Sequence, residues 1–278
     1  SEYVVSLQKP AYIDLMTYAE NRGLREEVYR AYISRASDVG ITPVKFNNRK
    51  VMDEILELRA EMSLLLGLSN YAEYSVQSKM VDSPQSVIDF LEKLVDLSHL
   101  QASTELKDLE NFAGHSLMPW DSMFYSEKLK QKVFNFKSSE LKPYFPESSV
   151  LSGLFETIQH LYSVKLTDVE EDCYHPDVRV ILLEDEKGPI GKIYFDVYAR
   201  ENKRGGAWMS DFQGLYKDSL PVAFVVCNLN SPKDGKPALF DFDEIVTIFH
   251  EFGHALHHLL TKVSFPCAAG ISGVPWDG

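Results

Sequence analysis

The chain has 278 residues, 45% of them hydrophobic and 25% charged, which is ordinary for a globular protein large enough to bury a core. Its 41 acidic and 28 basic residues give a net charge of −13, so neither a nucleic acid nor a membrane is expected as a partner. Cys173, Cys227 and Cys267 are far apart and odd in number, which predicts free, buried thiols in a reducing compartment. We expect the cytoplasm, with a mitochondrial or plastid matrix as the alternative.

Residues 1–170 are predicted to form a mostly helical region. Apolar side chains recur at helical spacing, Gly67 is suited to end one helix, and Ser83 with Pro84 is suited to begin another. The aromatic segment around Trp120 is assigned to a loop, either as packing or as part of a cleft wall. Helices are predicted over residues 10–18, 24–36, 51–66, 70–80, 83–109 and 150–162.

Residues 171–278 change in character, because short alternating segments separated by turn residues replace the helical period. Strands are predicted over residues 178–183, 190–198, 206–212 and 221–228, in an antiparallel or mixed sheet. A helix follows them. The fold class is therefore α+β and predominantly α-helical: a helical lobe, then a small sheet and a final helix. The chain ends without a recognisable terminus, and we expect it to be part of a longer catalytic domain that is truncated at both ends.

The last predicted helix carries an H-E-x-x-H pattern, in which His250 and His254 enclose Glu251. Asp241 and Glu244 have the spacing of a capping box at its start. Residues four apart lie on one helical face, so the two imidazoles can hold one metal ion. Glu251 lies about 100° further round the helix, where it can take a proton from a water bound to the ion. This is the arrangement of zinc proteases.

Two alternatives to this site are weaker. A chance pattern on a solvated helix disagrees with the capping and with the apolar side that we predict for residues 245, 248, 249, 252, 256 and 259. A pair of His254 and His258 also has helical spacing, but no glutamate follows His254 to act as the base. We expect Glu251 and all four histidines of this helix to lie opposite its apolar side.

The paired glycines Gly205 and Gly206, followed by Ala207, mark either a plain turn or a close approach of backbone. A substrate peptide that adds to an open sheet edge needs such clearance. Three nearby cations could orient a peptide carboxylate, but we expect a surface charge cluster. These cations are Arg200, Lys203 and Arg204.

Four segments carry a resemblance to a known family. They are YARENKRGGAWM at 198–209, the segment 228–239, FHEFGHALHH at 249–258 and GISGVPWD at 270–277. Together they resemble the thimet oligopeptidase family of zinc metallopeptidases, and the similarity extends to residues 16–18 and 25–32. The resemblance implies a mostly helical, two-lobed enzyme with a deep channel that admits short peptides.

The resemblance also implies roles for particular residues. His250 and His254 would be zinc ligands, Glu251 the general base, and Gly205, Gly206 and Ala207 a strand that binds the substrate backbone. The family's third zinc ligand is a glutamate shortly after the VPWD segment, and no glutamate follows Glu251 here. We therefore expect the remainder of the same polypeptide to supply it. One zinc ion per full-length chain is expected, with weak or absent binding to this chain alone.

The sequence therefore predicts a zinc metalloendopeptidase that hydrolyses short peptides. One alternative is a non-catalytic peptide-binding module, which would keep the cleft without the chemistry. The other is a carboxydipeptidase of the same family. This chain alone is expected to be inactive.

Overall fold

A computed structural model describes residues 4–40, 43–137, 140–217, 219–233 and 235–270. The segment 271–278, which includes the VPWD motif, lies outside the described residues. The chain divides into two compact units, one up to Asn135 and the other from Phe136 onward. The division at residue 170 that the sequence suggests remains a prediction for the longer protein.

The first unit is helical, as predicted. Asn21 caps α2 by accepting a hydrogen bond from the Leu24 amide at 3.1 Å, and Ser83 caps α5 in the same way. Gly67 follows α3 with φ of +76°, the conformation that commonly ends a helix. The α-helices in the described part of this unit are α1 (Lys9–Tyr18), α2 (Arg22–Ile33), α3 (Arg49–Leu65), α4 (Tyr71–Val76), α5 (Pro84–Ala113) and α6 (Ser122–Phe134).

The predicted loop around Trp120 is confirmed, whereas helix α6, which begins at Ser122 directly after it, was not predicted. Only Phe124 and Glu127 are buried on this helix, so its sequence lacks an apolar stripe that would reveal the helical period. The preceding loop is packing rather than a cleft wall, because Trp120 and Asp121 are themselves buried.

A buried ion cluster joins the start of α2 to the loop before α6. Arg25, which is 1% exposed, donates to the carbonyl oxygens of Trp120 at 3.1 Å and Ala19 at 2.7 Å, and to the Asp121 carboxylate at 2.9 Å. Arg22 donates to the same carboxylate at 2.7 Å. The cluster therefore holds two segments that lie about 100 residues apart in the chain.

The second unit contains a five-stranded mixed sheet among its described residues. The strand order is β1-β2-β3-β5-β4; β3 and β5 are parallel and the other pairs are antiparallel. Strand β1 was not predicted, because its side chains do not alternate between buried and exposed. The elements are α7 (Glu147–Tyr162), β1 (Lys165–Val169), β2 (Arg179–Asp185), β3 (Gly188–Tyr198), β4 (Trp208–Gln213), β5 (Val222–Leu229) and α8 (Phe242–Leu259).

One face of this sheet carries the core of the second unit. Ile193, Phe195 and Val197 alternate along β3 and are buried on that face. The ring of Phe252 on α8 packs at 5.6 Å from Phe195 and 6.2 Å from Phe155 on α7, so both helices cover the same face. Helix α8 is thus fixed on the sheet by aromatic packing.

The cysteines are free, as predicted, but only Cys227 is buried; Cys173 is half-buried and Cys267 exposed. Among the described residues, no helix combines the length and the apolar character that crossing a bilayer requires.

The ion cluster of the first unit makes its stability depend on pH. Burial alone would raise the pKa of Asp121, but hydrogen bonds from Arg22, the Met118 amide and Arg25 outweigh burial and lower the pKa to about 2. Because the folded-state pKa lies below the ordinary value of 3.8, the stabilisation is present above that value and is lost as the pH falls towards about 2.

We predict that Asp121→Asn lowers the free energy of unfolding by about 3 kcal/mol near neutral pH, because it leaves the buried Arg25 without a counter-charge. Urea unfolding of the chain at a series of pH values measures this difference, which should shrink as the pH falls below about 4. Glu26→Gln, which breaks an exposed ion pair with Arg30, is the control and should cost less than about 0.5 kcal/mol. An Asp121→Asn variant as stable as the parent at neutral pH would refute the prediction.

Candidate active site

Helix α8 begins as the sequence predicts, at a complete capping box. The Asp241 carboxylate accepts a hydrogen bond from the Glu244 amide at 2.9 Å, and the Asp241 amide donates to the Glu244 carboxylate at 2.8 Å. The buried side of the helix includes Ile248, Phe252 and Leu259. The cap and this apolar side together fix the position and rotation of the helix.

His250 and His254 lie side by side on α8. Their Nε2 atoms are 3.1 Å apart and their ring centroids 4.7 Å apart. Two nitrogens bound to one tetrahedral zinc at about 2.05 Å would be about 3.3 Å apart. The observed separation is close to that value, and His250 is exposed while His254 is half-buried. The pair therefore fits two ligands of a single zinc ion.

Glu251 points towards the sheet and is only 8% exposed. Burial raises the pKa of the Cys227 thiol on β5 to about 12, and the Glu251 carboxylate adds to the rise. Cys227 therefore stays protonated and is a poor metal ligand. Within the described part of the chain, no hydrogen bond or ion pair involves the Glu251 carboxylate. Among these residues, its oxygens therefore have no competing partner.

The predicted polar side of α8 needs correction at three positions. Glu251 and His258 are buried rather than solvated, whereas Phe249, which was assigned to the apolar side, is 38% exposed. The His258 Nε2–H donates to the Gln213 carbonyl at 2.9 Å, since that carbonyl can only accept. His258 is thereby engaged with β4, which argues against a metal site formed by His254 and His258.

His257 remains exposed and lines a cavity of about 550 Å³. The cavity lies beside the exposed side of α8, because Gly253 and Leu260 line it as well. It belongs to the surroundings of the candidate site and offers no additional metal ligand pair.

Gly205, Gly206 and Ala207 lie in a bend rather than in a strand, because β4 begins at Trp208. Gly206 has φ of +108°, which L side chains rarely adopt. The Asn228 side chain holds this bend by donating to the Arg204 carbonyl at 2.8 Å and the Gly206 carbonyl at 2.7 Å. The bend leads directly into β4, which is an edge strand of the described sheet.

The expected surface cluster of cations is instead a buried network around Asp196, a residue that the sequence analysis did not single out. Arg200 donates to the Asp196 carboxylate at 2.6 and 2.8 Å, and Lys203 donates to it at 2.8 Å. Tyr174 donates through its hydroxyl at 2.9 Å. Only Arg204 lies at the surface, with its guanidinium 5.7 Å from the Trp208 ring centroid.

Asp196 is ionised within this network. Burial alone would raise its pKa, but hydrogen bonds from Arg200, Lys203 and Tyr174 outweigh burial and lower the pKa to about 2. An aspartate between the apolar residues Phe195 and Val197, four residues before Arg200, was the available sequence signal. Arg200 and Lys203 are therefore engaged with Asp196 and are not free to bind a peptide carboxylate.

The described residues bring together two candidate metal ligands and a carboxylate, but no group of three His, Cys, Asp or Glu side chains that could hold a metal ion. Asp277, the only carboxylate after Glu251 in the sequence, lies outside the described residues. The predicted third ligand therefore stays a prediction.

Comparison with known proteins agrees with the geometry of this site. Residues 15–278 match peptidase family M3. The chain is 47% identical to oligopeptidase A of Escherichia coli, over 99% of this chain and 42% of that protein. It is 40% identical to the organellar oligopeptidase A, chloroplastic/mitochondrial, of Arabidopsis thaliana, over 99% of this chain and 36% of that protein.

A more distant relative has a different name. Dipeptidyl carboxypeptidase of Escherichia coli is 33% identical over 95% of this chain and 39% of that protein. The chain thus spans less than half the length of the curated relatives that it matches. Since the family match covers nearly the whole chain, this chain belongs to peptidase family M3, as its resemblance to the thimet oligopeptidases predicts.

Proposed function

We propose that the protein to which this chain belongs is a zinc metalloendopeptidase that hydrolyses short peptides. The observation that carries the proposal is the convergence of the His250 and His254 Nε2 atoms to 3.1 Å, beside the Glu251 carboxylate, for which the described residues provide no hydrogen-bond or ion-pair partner. Membership of a peptidase family supports peptide substrates. The ligand chemistry, two imidazoles on one helical face, favours zinc.

His250 and His254 would hold the metal, which would supply a Lewis acid that polarises the scissile carbonyl and acidifies the attacking water. Glu251 accepts the proton of that water as it attacks, and then delivers the proton to the leaving amine. The buried position of Glu251 supports this role, because few waters compete for its carboxylate. The Gly205–Ala207 bend binds the substrate backbone.

The remainder of the longer polypeptide would supply the third zinc ligand. This proposal is supported by the finding that the chain corresponds to 42% of oligopeptidase A of Escherichia coli. We propose one zinc ion per full-length protein, and we propose that the 278-residue chain alone binds zinc weakly and is inactive. The proposed location is the cytoplasm, with an organelle matrix as the alternative that the name of the Arabidopsis relative suggests.

Two other functions remain as alternatives. A carboxydipeptidase is supported by the likeness to dipeptidyl carboxypeptidase, but the identity to oligopeptidase A is higher, at 47% against 33%. A peptide-binding module without catalysis would leave the buried Glu251 carboxylate, which has no partner in the described part of the chain, without a role. Zinc stoichiometry and the positions of cleavage in a blocked peptide distinguish the three functions.

We predict that Glu251→Gln in the full-length protein lowers kcat by about 10² to 10⁴, because the amide cannot accept the proton of the attacking water. The zinc content should stay unchanged, since Glu251 is not a ligand. Peptide hydrolysis and metal analysis on the same preparations measure the two effects. Asp243→Asn, an exposed acidic change in the first turn of α8, is the matched control. Activity within a few-fold of the parent in Glu251→Gln would exclude Glu251 as the base.

We predict that the 278-residue chain binds zinc less tightly than the full-length protein and hydrolyses no peptide. Equilibrium dialysis against zinc measures the first property. His250→Ala should abolish the residual binding to the chain, whereas His175→Ala, at a histidine outside α8, should leave it unchanged. If the isolated chain has peptidase activity that disappears in Glu251→Gln, the proposal that the remainder of the polypeptide supplies the third zinc ligand is contradicted.

A further inference from the structure

The segment between β3 and β4 is folded back onto the end of β3 by Lys203. Its side chain is 6% exposed, and its ammonium donates to the Asp196 carboxylate at 2.8 Å, the Asp196 carbonyl at 3.0 Å and the Tyr198 carbonyl at 2.7 Å. An ammonium group has three protons, so each of them can be matched to an acceptor. Residue 203 is thereby held against β3 two residues before the Gly205–Ala207 bend.

The bend itself is held from the other side by Asn228 on β5. Its side-chain amide has two protons, and these are directed to the carbonyls of Arg204 and Gly206 at 2.8 and 2.7 Å. The carbonyls on both sides of Gly205 are therefore fixed towards β5. Asn228 is half-buried, so the loss of its amide would expose these carbonyls to water rather than strand them in the core.

The glycines of the bend also have open space around them. Among the described residues, the backbone amides of Gly205 and Gly206 have no hydrogen-bond partner within the chain. A Cβ atom built on either glycine would meet no atom within 4 Å. Backbone amides need an acceptor, and an extended peptide is one group that offers carbonyls at this spacing.

The edge strand that follows the bend is also held at its far end, where the His258 Nε2–H donates to the Gln213 carbonyl at 2.9 Å. Strand β4 is thus attached to α8 at its end and to β5 at its beginning. The position of the bend relative to the helix that carries His250 and His254 is set by these polar contacts together with the β4–β5 pairing.

From this geometry we infer that Asn228 and Lys203 are positioning residues, which hold the Gly205–Ala207 bend so that its open amides bind the backbone of the peptide substrate. The inference rests on the proposed function, because it assigns the residues that shape the substrate-binding element of the same site. Neither residue touches the reacting atoms.

Peptide binding to the full-length Glu251→Gln protein tests the inference without requiring catalysis. The probe is a blocked alanine-based octapeptide, compared with otherwise identical peptides in which one backbone amide at a time is replaced by an ester. An ester carbonyl is a weaker acceptor, so we expect about a three- to tenfold loss of affinity at one or two positions. Adding Asn228→Ala should weaken binding of the all-amide peptide. It should also bring the ratio of the affinities for the all-amide peptide and the most weakly bound ester peptide close to one.

Two further variants complete the design. Lys203→Met keeps the buried stem but removes the ammonium, and it should reduce the same ratio. Asn230→Ala, at an exposed asparagine two residues along the chain, should leave the ratio unchanged. Melting temperature, measured in parallel, separates loss of the fold from loss of the contact.

An amide-to-ester affinity ratio that stays unchanged in both Asn228→Ala and Lys203→Met would overturn the inference. Equal binding of all the peptides to the Glu251→Gln protein would also overturn it. Failure of the proposed function has a different signature, namely full peptidase activity in Glu251→Gln with Asn228 intact. A full-length protein that binds none of these peptides would contradict both.

Discussion

The candidate site depends on one constraint, which is that α8 holds two imidazoles one turn apart while its opposite side is packed on the sheet. Phe252 lies against Phe195 of β3 and Phe155 of α7, and this contact fixes the rotation of the helix. With that rotation, His250 is exposed and Glu251 is directed to the sheet. A shift of one residue along the helix would rotate His250 and Glu251 by about 100° and change which of them is buried. The packing of α8 therefore determines the positions of the proposed catalytic side chains.

Strand β5 connects the two parts of the site, which are helix α8 with Glu251 and the Gly205–Ala207 bend. Cys227 faces the core below α8, where its thiol is influenced by the Glu251 carboxylate. Asn228, the next residue, holds the Gly205–Ala207 bend, at a point where the pairing of β5 with β3 shifts register. Two adjacent residues of β5 therefore interact with the two parts of the site: Cys227 with the proposed base, and Asn228 with the proposed substrate-binding bend. Such a scaffold is more rigid than a pair of loops.

Much of this arrangement could be predicted because its signals are local. The capping box of Asp241 and Glu244, the helical spacing of His250 and His254, and the alternation along β3 all depend on neighbouring residues. The predicted ends of β3 agree with the structure to within two residues, whereas two helices predicted to end at residues 80 and 109 end at Val76 and Ala113. The α+β fold class and the mixed sheet are likewise confirmed.

The features that the sequence did not predict correctly depend mostly on contacts between residues that are distant in the chain. The partnership of Asp196 with Tyr174 joins residues 22 positions apart, and no periodic pattern reports it. Burial of His258 depends on the Gln213 carbonyl of another element, so its helical position alone was misleading. Helix α6 and strand β1 escaped prediction because neither carries a clear amphipathic pattern. The strand predicted over residues 206–212 began two residues too early, because alternation cannot locate where pairing begins.

The central claim is that His250 and His254 bind the same zinc ion. X-ray absorption at the zinc edge of the full-length protein tests it most directly. We predict a first shell at about 2.0 Å with two imidazole nitrogens and oxygen ligands, and the loss of one imidazole in His250→Ala. A sulfur scatterer at about 2.3 Å, or an imidazole count that does not change in His250→Ala, would contradict the claim.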